Sequence, residues 1–181
     1  MGQDLPITAY ALLGLLSFDD PLTGYELKQR ADRTLRFYWV APAMSQVYSE
    51  LDRLHGEDMV KAHGDGRTTS YSLTRKGRTA LTRWMRESEA GFPVLKHPVA
   101  LRLLLGALVD PEAIRGLLSQ HVEALDHEHA ALSEVRASLV GSDGPGEPFR
   151  YPAMVADWGL SYFAHEKAII EELRQRIEQD R

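Results

Sequence analysis

Residues 43–73, AMSQVYSELDRLHGEDMVKAHGDGRTTSYSL, change periodicity part-way along, and that change decides the fold. Over 43–56 the apolar residues Met44, Val47, Leu51 and Leu54 recur at intervals of three and four, the spacing that gathers side chains on one face of an α-helix. Ser45 and Ser49 point most directly away from that face, with Gln46, Asp52 and Arg53 on its flanks. After Asp58 the period falls to two. Val60 and Ala62 alternate with Lys61 and His63, and Thr69, Tyr71 and Leu73 alternate with Ser70 and Ser72. Gly64-Asp65-Gly66 lies between the two runs and supplies residues that tolerate positive φ. An amphipathic helix followed by a β-hairpin is predicted.

Upstream, Thr8 is placed to cap a helix to about Ser17 that carries Ala9, Leu12, Leu13 and Leu16 on one side, ended by Asp19-Asp20-Pro21. Thr23-Gly24-Tyr25-Glu26 has the spacing of a capping box and opens a second helix, about Gly24 to Thr34. The aromatic connection Phe37-Tyr38-Trp39 leads to the helix at 43–56. Downstream of the hairpin, Thr74 caps a further helix to about Ser88. Three helices followed by a two-stranded wing is the winged helix-turn-helix plan.

The segment from Gly91-Phe92-Pro93 to His97-Pro98 reads as a domain boundary, because its prolines stop helix propagation. Beyond a short helix at about 99–108, Asp110-Pro111 signals the start of a long helix to about Leu139. Leu118, Leu125, Leu132 and Leu139 recur along it seven apart. The stretch Gly141–Pro152 holds three glycines and three prolines and reads as a mobile loop. A last helix, about Ala153 to Gln179, carries Val155, Trp158, Tyr162, Ile169, Leu173 and Ile177 along one side. The predicted protein is mainly α with a small β-hairpin: a winged helix-turn-helix over 1–90 and an all-helical dimerisation domain over 91–181.

The chain has 181 residues and no cysteine, which excludes disulfides and thiolate metal sites and fits a reducing compartment. No secretory signal pattern opens it, and its longest apolar run, Val99 to Val109, is interrupted by Arg102 and falls short of the roughly 20 residues needed to span a bilayer. A cytoplasmic location without membrane contact is expected. The net charge of −5 argues at first against a polyanionic partner. Its distribution weakens that objection: residues 1–86 carry 12 basic and 10 acidic side chains, residues 87–181 carry 9 and 16. Binding to a polyanion follows the local field, which decays over a Debye length of about 8 Å, more than the whole-chain sum.

If the helix at 43–56 enters a DNA major groove, its first two turns approach the base edges. Gln46 is able to form two hydrogen bonds with adenine, and Ser45 and Ser49 to donate or accept, while Arg53 suits a phosphate. His63, Arg67 and Thr68 surround the hairpin tip, where a cation reaches backbone phosphate or the minor groove, and Lys28 approaches from the second helix. Periodicity alone reads this polar face equally well as a solvated surface. Asp52 and Glu50 beside it repel phosphate.

Three stretches, AYALLGLLSFDDPLTGYELKQR, FYWVAPAMSQVYSELDRL and RTTSYSLTRKGRTAL, resemble the PadR family of bacterial transcriptional regulators. The resemblance covers roughly residues 7–85. The acidic helical second half is similar in layout to the longer, virulence-activator-like branch. The resemblance implies a homodimer built on the C-terminal helices. It also implies a palindromic double-stranded DNA operator, action usually as a repressor, and in some members release by a small aromatic ligand. Tyr48 matches the family's tyrosine, placed at the DNA edge or against the second helix. This chain departs from the family at His55-Gly56-Glu57-Asp58-Met59-Val60, where an acidic pair before Gly-Leu is common, and at Ser49, where relatives often carry a basic residue or proline.

The broad apolar stripes of the second half need burial, and a homodimer through Leu118, Leu125, Leu132, Val155, Trp158, Tyr162, Ile169, Leu173 and Ile177 is expected. Trp39, Trp84, Trp158 and Tyr162 are candidates for lining an effector pocket, although core or interface packing explains such aromatics more simply. No cofactor is expected. A metal site is not expected either, since His127 and His129 point to different sides of their helix. No Gly-rich phosphate loop, nucleophile elbow or His-Glu metal motif is present, so enzymatic activity is not expected. The rival to DNA binding is a winged-helix module that docks protein through the same helix and wing.

Overall fold

The computed structural model describes residues 5–19, 21–64, 66–91 and 96–179; the side chain of Arg67 also lies outside that set. The expected helix break at Asp20, the turn residue Asp65 and the Phe92-Pro93 part of the expected boundary fall outside the described residues. The chain divides into two compact units, Met1–Gly91 and Phe92–Arg181.

The first unit runs α1 (Ile7–Phe18), β1 (Leu22–Thr23), α2 (Gly24–Thr34), a 3-10 turn (Leu35–Phe37), α3 (Met44–Gly56), β2 (Val60–His63), a second 3-10 turn (Gly66–Thr68), β3 (Ser70–Leu73) and α4 (Arg75–Glu87). Its core is mainly aliphatic, with Tyr10 and Tyr71 also buried in it. Leu12, Leu13 and Leu16 of α1, Leu27 of α2, and Val47, Leu51 and Leu54 of α3 are almost wholly withdrawn from water. The apolar stripe read from residues 43–56 therefore does face inward, except that Met44 is only half-buried. Each fully buried leucine contributes about 1.5–3 kcal/mol relative to exposure, so this stripe fixes the rotation of α3 about its axis.

Local signals set most of the helix ends. Thr23 Oγ1 accepts from Glu26 N–H at 3.2 Å while Glu26 Oε2 accepts from Thr23 N–H at 2.7 Å, the reciprocal pair expected at the start of α2. That backbone donor is the main reason the Glu26 carboxyl lies below the ordinary carboxylate range. α1 departs from expectation: Pro6 occupies its cap position and Thr8 lies inside its first turn.

The wing differs in two respects. β2 and β3 pair antiparallel with Val60 opposite Leu73 and His63 opposite Ser70, as the alternation predicted. However, their connection contains a 3-10 turn flanked by positive-φ Gly64 and Gly66, and β1 adds a third strand in the order β1-β3-β2. β1 contributes two paired positions, Leu22 with Tyr71 and Thr23 with Ser70. Two residues are too few to display alternation, so nothing in the sequence marked them as a strand.

The Tyr71-x-Leu73-Thr74-x-x-Gly77 run welds wing to helix. Thr74 Oγ1 accepts from Gly77 N–H at 3.1 Å and donates to Asp58 O at 2.7 Å. A Cβ on Gly77 would lie 2.2 Å from Met59 O, a backbone atom with little room to yield. Asp58 itself takes φ +56, a left-handed conformation that a short polar side chain tolerates. The altered 55–60 segment thus still turns the chain from α3 into the wing.

The second unit comprises α5 (Pro98–Leu104), a 3-10 turn (Gly106–Leu108), α6 (Pro111–Ser138) and α7 (Arg150–Gln179). Asp110 caps α6 by accepting from Ala113 N–H at 2.8 Å, with Pro111 in the first turn as read from sequence. α6 and α7 run antiparallel, and Lys167–Asp126 at 2.6 Å and Arg136–Asp157 at 2.7 Å set their register. The segment between them is held by its own bonds: Phe149 N–H donates to Ser142 O at 3.1 Å, and Arg136 reaches Asp143 at 2.8 Å. The Arg136 guanidinium holds the Asp143 carboxyl below its ordinary range. The loop expected there carries these local bonds.

Gly77→Ala is expected to destabilise the first unit by about 1–3 kcal/mol, the range for overpacking against atoms that cannot move away. Urea unfolding of the variant should show a lower midpoint with an unchanged slope; an unchanged midpoint would mean that α4 moves off Met59 freely.

Candidate nucleic-acid interface

With Val47, Leu51 and Leu54 in the core, Ser45, Gln46, Ser49 and Asp52 emerge on the exposed side of α3. None of these four side chains is covered by its own chain. Their polar groups differ in how free they are. Gln46 Oε1 accepts from Ala43 N–H at 2.8 Å, so the side chain caps its own helix and only the amide donor stays available. Two simultaneous hydrogen bonds to one adenine therefore require that cap to open.

Arg53 is half-buried and already engaged. Its guanidinium meets Glu50 at 2.5 Å and Glu57 at 3.1 Å. Lys28 is likewise paired with Asp32, one turn along α2. A phosphate has to displace these carboxylates to reach either cation. Such part-exposed pairs contribute about 0–1 kcal/mol, so the exchange is affordable but not free.

Tyr48 is 38% exposed, and its ring lies on α2 where the helix begins. A Cβ built on Gly24 would sit 2.6 Å from Tyr48 Cε1, so the Gly of Thr-Gly-Tyr-Glu gives that ring its seat. Tyr48 thus both packs against α2 and reaches the surface. Behind it, Tyr71 on β3 is buried, and burial first, then the charge of Asp52, raises its phenol above the ordinary value.

On the wing, His63 is exposed and its Nε2 lies 2.7 Å from Ser72 Oγ. Thr68 is exposed in the 3-10 turn between β2 and β3. Arg67 has its backbone in the same turn, and its side chain falls outside the described residues. Beyond the wing, Arg75 and Arg78 are exposed on the first turns of α4, and Lys76 Nζ donates to Glu57 O at 2.7 Å, at the end of α3. Lys61 on β2 is exposed as well, a cation that reading the hairpin tip alone passed over.

The expected interface residues of the second unit separate into two groups. Leu118, Leu125 and Leu132 are buried within the chain itself, at 0%, 7% and 0% exposure, and are not available to a partner. Seven-residue spacing marks a buried stripe without saying whose helix covers it; here α7 of the same chain packs on α6. Leu173 and Ile177 are partly buried against the cluster of Val99, Ile114, Leu118, Val122 and Ile170. Val155, Trp158, Tyr162 and Ile169 are exposed. The residues of α7 that are buried are Ala153, Ala156, Gly159 and Ile170. Small residues let α6 and α7 approach closely, and the larger side chains are left on the opposite side. Leu101, Leu104, Leu105 and Leu108 of α5 and the following turn are exposed too.

Of the candidate effector-pocket aromatics, Trp84 stacks on Tyr10 at 4.7 Å and 10°. The pair borders an open cleft of about 430 Å³ with Arg83, Glu87, Ser88 and Glu89. Trp39 and Trp158 are exposed on the surface instead. No helix among the described residues is long and apolar enough to cross a membrane.

Three helices, a three-stranded wing and a polar α3 face define a winged helix-turn-helix domain, followed in the chain by a helical second unit. Residues 12–83 match the Transcriptional regulator PadR-like family, and residues 95–178 match the Virulence activator alpha C-term family. In domain make-up the chain therefore carries a PadR-like domain followed by a virulence-activator-type C-terminal domain. It is similar to the probable transcriptional regulator Rv1176c of Mycobacterium tuberculosis, at 33% identity over 70 residues. That match spans 36% of this chain and 36% of the relative, about a third of the relative's length.

Solved structures extend the likeness in fold to nearly the whole chain. PadR of Bacillus subtilis in complex with operator DNA has a TM-score of 0.81 at 20% identity, covering 95% of this chain and 99% of that one. The same protein in complex with p-coumaric acid gives 0.80 at 20% identity, with 96% and 99% covered. The virulence activator AphA of Vibrio cholerae gives 0.74 at 20% identity, again with 96% and 99% covered.

Gly24→Ala is expected to behave unlike Gly77→Ala, because the atom it meets is the end of a partly exposed ring that can swing away. The cost should stay below about 1 kcal/mol while Tyr48 leaves its seat. Comparing the melting temperature with the tyrosine fluorescence or ring NMR shifts of the variant checks this. A large loss of stability would show that Tyr48 is fixed.

Proposed function

We propose that the chain is a sequence-specific regulator that binds double-stranded DNA as a homodimer on a two-fold operator in the cytoplasm, acting as a repressor released by a small aromatic compound. The observation that carries this reading is α3: its first two turns expose Ser45, Gln46 and Ser49 beside a wing, while Val47, Leu51 and Leu54 anchor the other side. Ser45, Gln46 and Ser49 are assigned to base edges, Gln46 through its amide donor. Lys28, Tyr48 and Arg53 are assigned to the phosphate backbone, the two cations exchanging their carboxylate partners for phosphate. His63, Arg67 and Thr68 are assigned to the wing's contact beside the groove.

The homodimer is supported by the outward apolar side of α7. Val155, Trp158, Tyr162 and Ile169 are each 39–65% exposed in the single chain, and soluble monomers rarely leave such a contiguous patch in water. On a two-fold operator, the two recognition helices of a homodimer meet successive grooves about 34 Å apart, or a multiple. The aromatic effector is supported by the cleft beside the Tyr10–Trp84 stack, where Arg83 offers a cation to an aromatic acid. PadR of Bacillus subtilis, solved with p-coumaric acid, shares this fold.

Fluorescence anisotropy with the DNA upstream of the chain's own gene tests the reading. Affinity should fall steeply with salt, since each neutralised phosphate contributes a slope of about −0.9 in log K against log salt. Gln46→Ala should narrow the gap between specific and random DNA by roughly tenfold, whereas Arg67→Ala should weaken both alike. Binding that ignores salt and sequence would favour a protein-docking winged helix. Light scattering should give a mass near twice the 20.3 kDa of one chain, and Trp158→Asp with Tyr162→Asp should return it to a single chain. A wild-type mass of one chain at micromolar concentration would remove the homodimer.

A further inference from the structure

His97, His121 and Glu166 come together in the second unit, their ligand atoms all within 4.8 Å of one another. His97 is the cap residue of α5, His121 lies on α6 and Glu166 on α7. His97 Nε2 is 2.8 Å from Glu166 Oε1, and His121 Nε2 is 3.5 Å from the same oxygen. The two imidazoles meet edge to face at 5.2 Å. All three side chains are largely withdrawn from water, at 15–21% exposure. His121 Nε2 is buried and, among the described residues, has no hydrogen-bond partner. Most buried polar groups are paired, so this nitrogen has capacity to bind a further group.

We propose that these residues bind one divalent transition-metal ion of the zinc type, through His97 Nε2, His121 Nε2 and a Glu166 carboxylate oxygen, with water in the fourth position. Metal bonds of about 2.0–2.2 Å in tetrahedral array place neighbouring ligand atoms about 3.3–3.6 Å apart. The two histidine–carboxylate separations, 2.8 and 3.5 Å, lie below and within that range, and the whole set of ligand atoms lies within 4.8 Å. Two imidazoles and one carboxylate suit zinc, cobalt, nickel or copper; calcium and magnesium favour all-oxygen shells.

The site has a built-in cost. Ala100 N–H donates to His97 Nδ1 at 3.1 Å, so the neutral His97 ring carries its proton on Nε2, pointing at Glu166. A metal at Nε2 moves that proton to Nδ1, with no net release from the ring, and the cap bond to Ala100 is given up. The ion thus exchanges a helix cap for bonds that tie the start of α5 to α6 and α7. The ligands are separated by 24 and 45 residues along the chain, so no spacing motif announces them. The proposal does not depend on DNA binding.

The full chain, purified without an affinity tag and stripped with chelator, should be titrated with Co²⁺ and then Zn²⁺. The expected result is one equivalent per chain, an intense four-coordinate visible spectrum with cobalt, and its loss on adding zinc. Glu166→Gln, close in shape, should weaken binding at least tenfold, as should His121→Ala, while His127→Ala on the exposed side of α6 should change it less than twofold. If His121→Ala fails to fold, Glu166→Gln and the cobalt spectrum of the unaltered chain still decide. No saturable binding, a pale six-coordinate spectrum, or unchanged affinity in Glu166→Gln would overturn the site and leave a His97–Glu166 hydrogen bond beside His121.

Discussion

Everything in the first unit turns on the burial of Val47, Leu51 and Leu54 against α1 and α2. That contact does more than stabilise. Because α-helical side chains are fixed in angle, burying one stripe determines which residues leave the opposite side, here Ser45, Gln46 and Ser49. A polar residue turned into the core would cost free energy unless it found a partner, so the rotation of α3 is not adjustable. The wing is then placed by chain continuity through Asp58 and Met59 and by Thr74 and Gly77, which hold α4 against the same turn.

The same reasoning explains why the candidate interface is less basic than a DNA-binding surface might be expected to be. Three acidic residues near α3 are engaged with neighbours, Glu50 and Glu57 with Arg53 and Asp32 with Lys28, while Asp52 stays exposed. In the free protein these pairs keep the face near neutral and the side chains ordered. Approach of a phosphate turns each pair into a competition, which makes binding sensitive to salt and places discrimination on the few uncommitted groups of α3.

Much of this was legible in the residues, for identifiable reasons. The α3 stripe, the Thr23–Glu26 capping box, the Asp110-Pro111 start and the β2–β3 alternation are local patterns, and the structure shows all of them. β1 escaped because two residues carry no period. The heptad spacing of Leu118, Leu125 and Leu132 reports that a stripe is buried and not what buries it. α7 was read from its large residues, whereas close packing on α6 uses Ala153, Ala156 and Gly159 and leaves Trp158 and Tyr162 outside. Long-range pairings such as His97 with Glu166, or the engagement of Gln46 with its own cap, exist only once the chain is folded.

The chain contains no cysteine, so single thiols introduced on α3 act as clean reporters of what touches that face. Ser45→Cys and Ser49→Cys should be alkylated rapidly in the free protein and be strongly protected, by tenfold or more, once the DNA upstream of its own gene is bound at low salt, while Ser138→Cys at the exposed end of α6 should react equally fast in both states. Saturating DNA binding with the thiols at 45 and 49 as reactive as before would contradict the account, because the duplex would then lie elsewhere on the molecule.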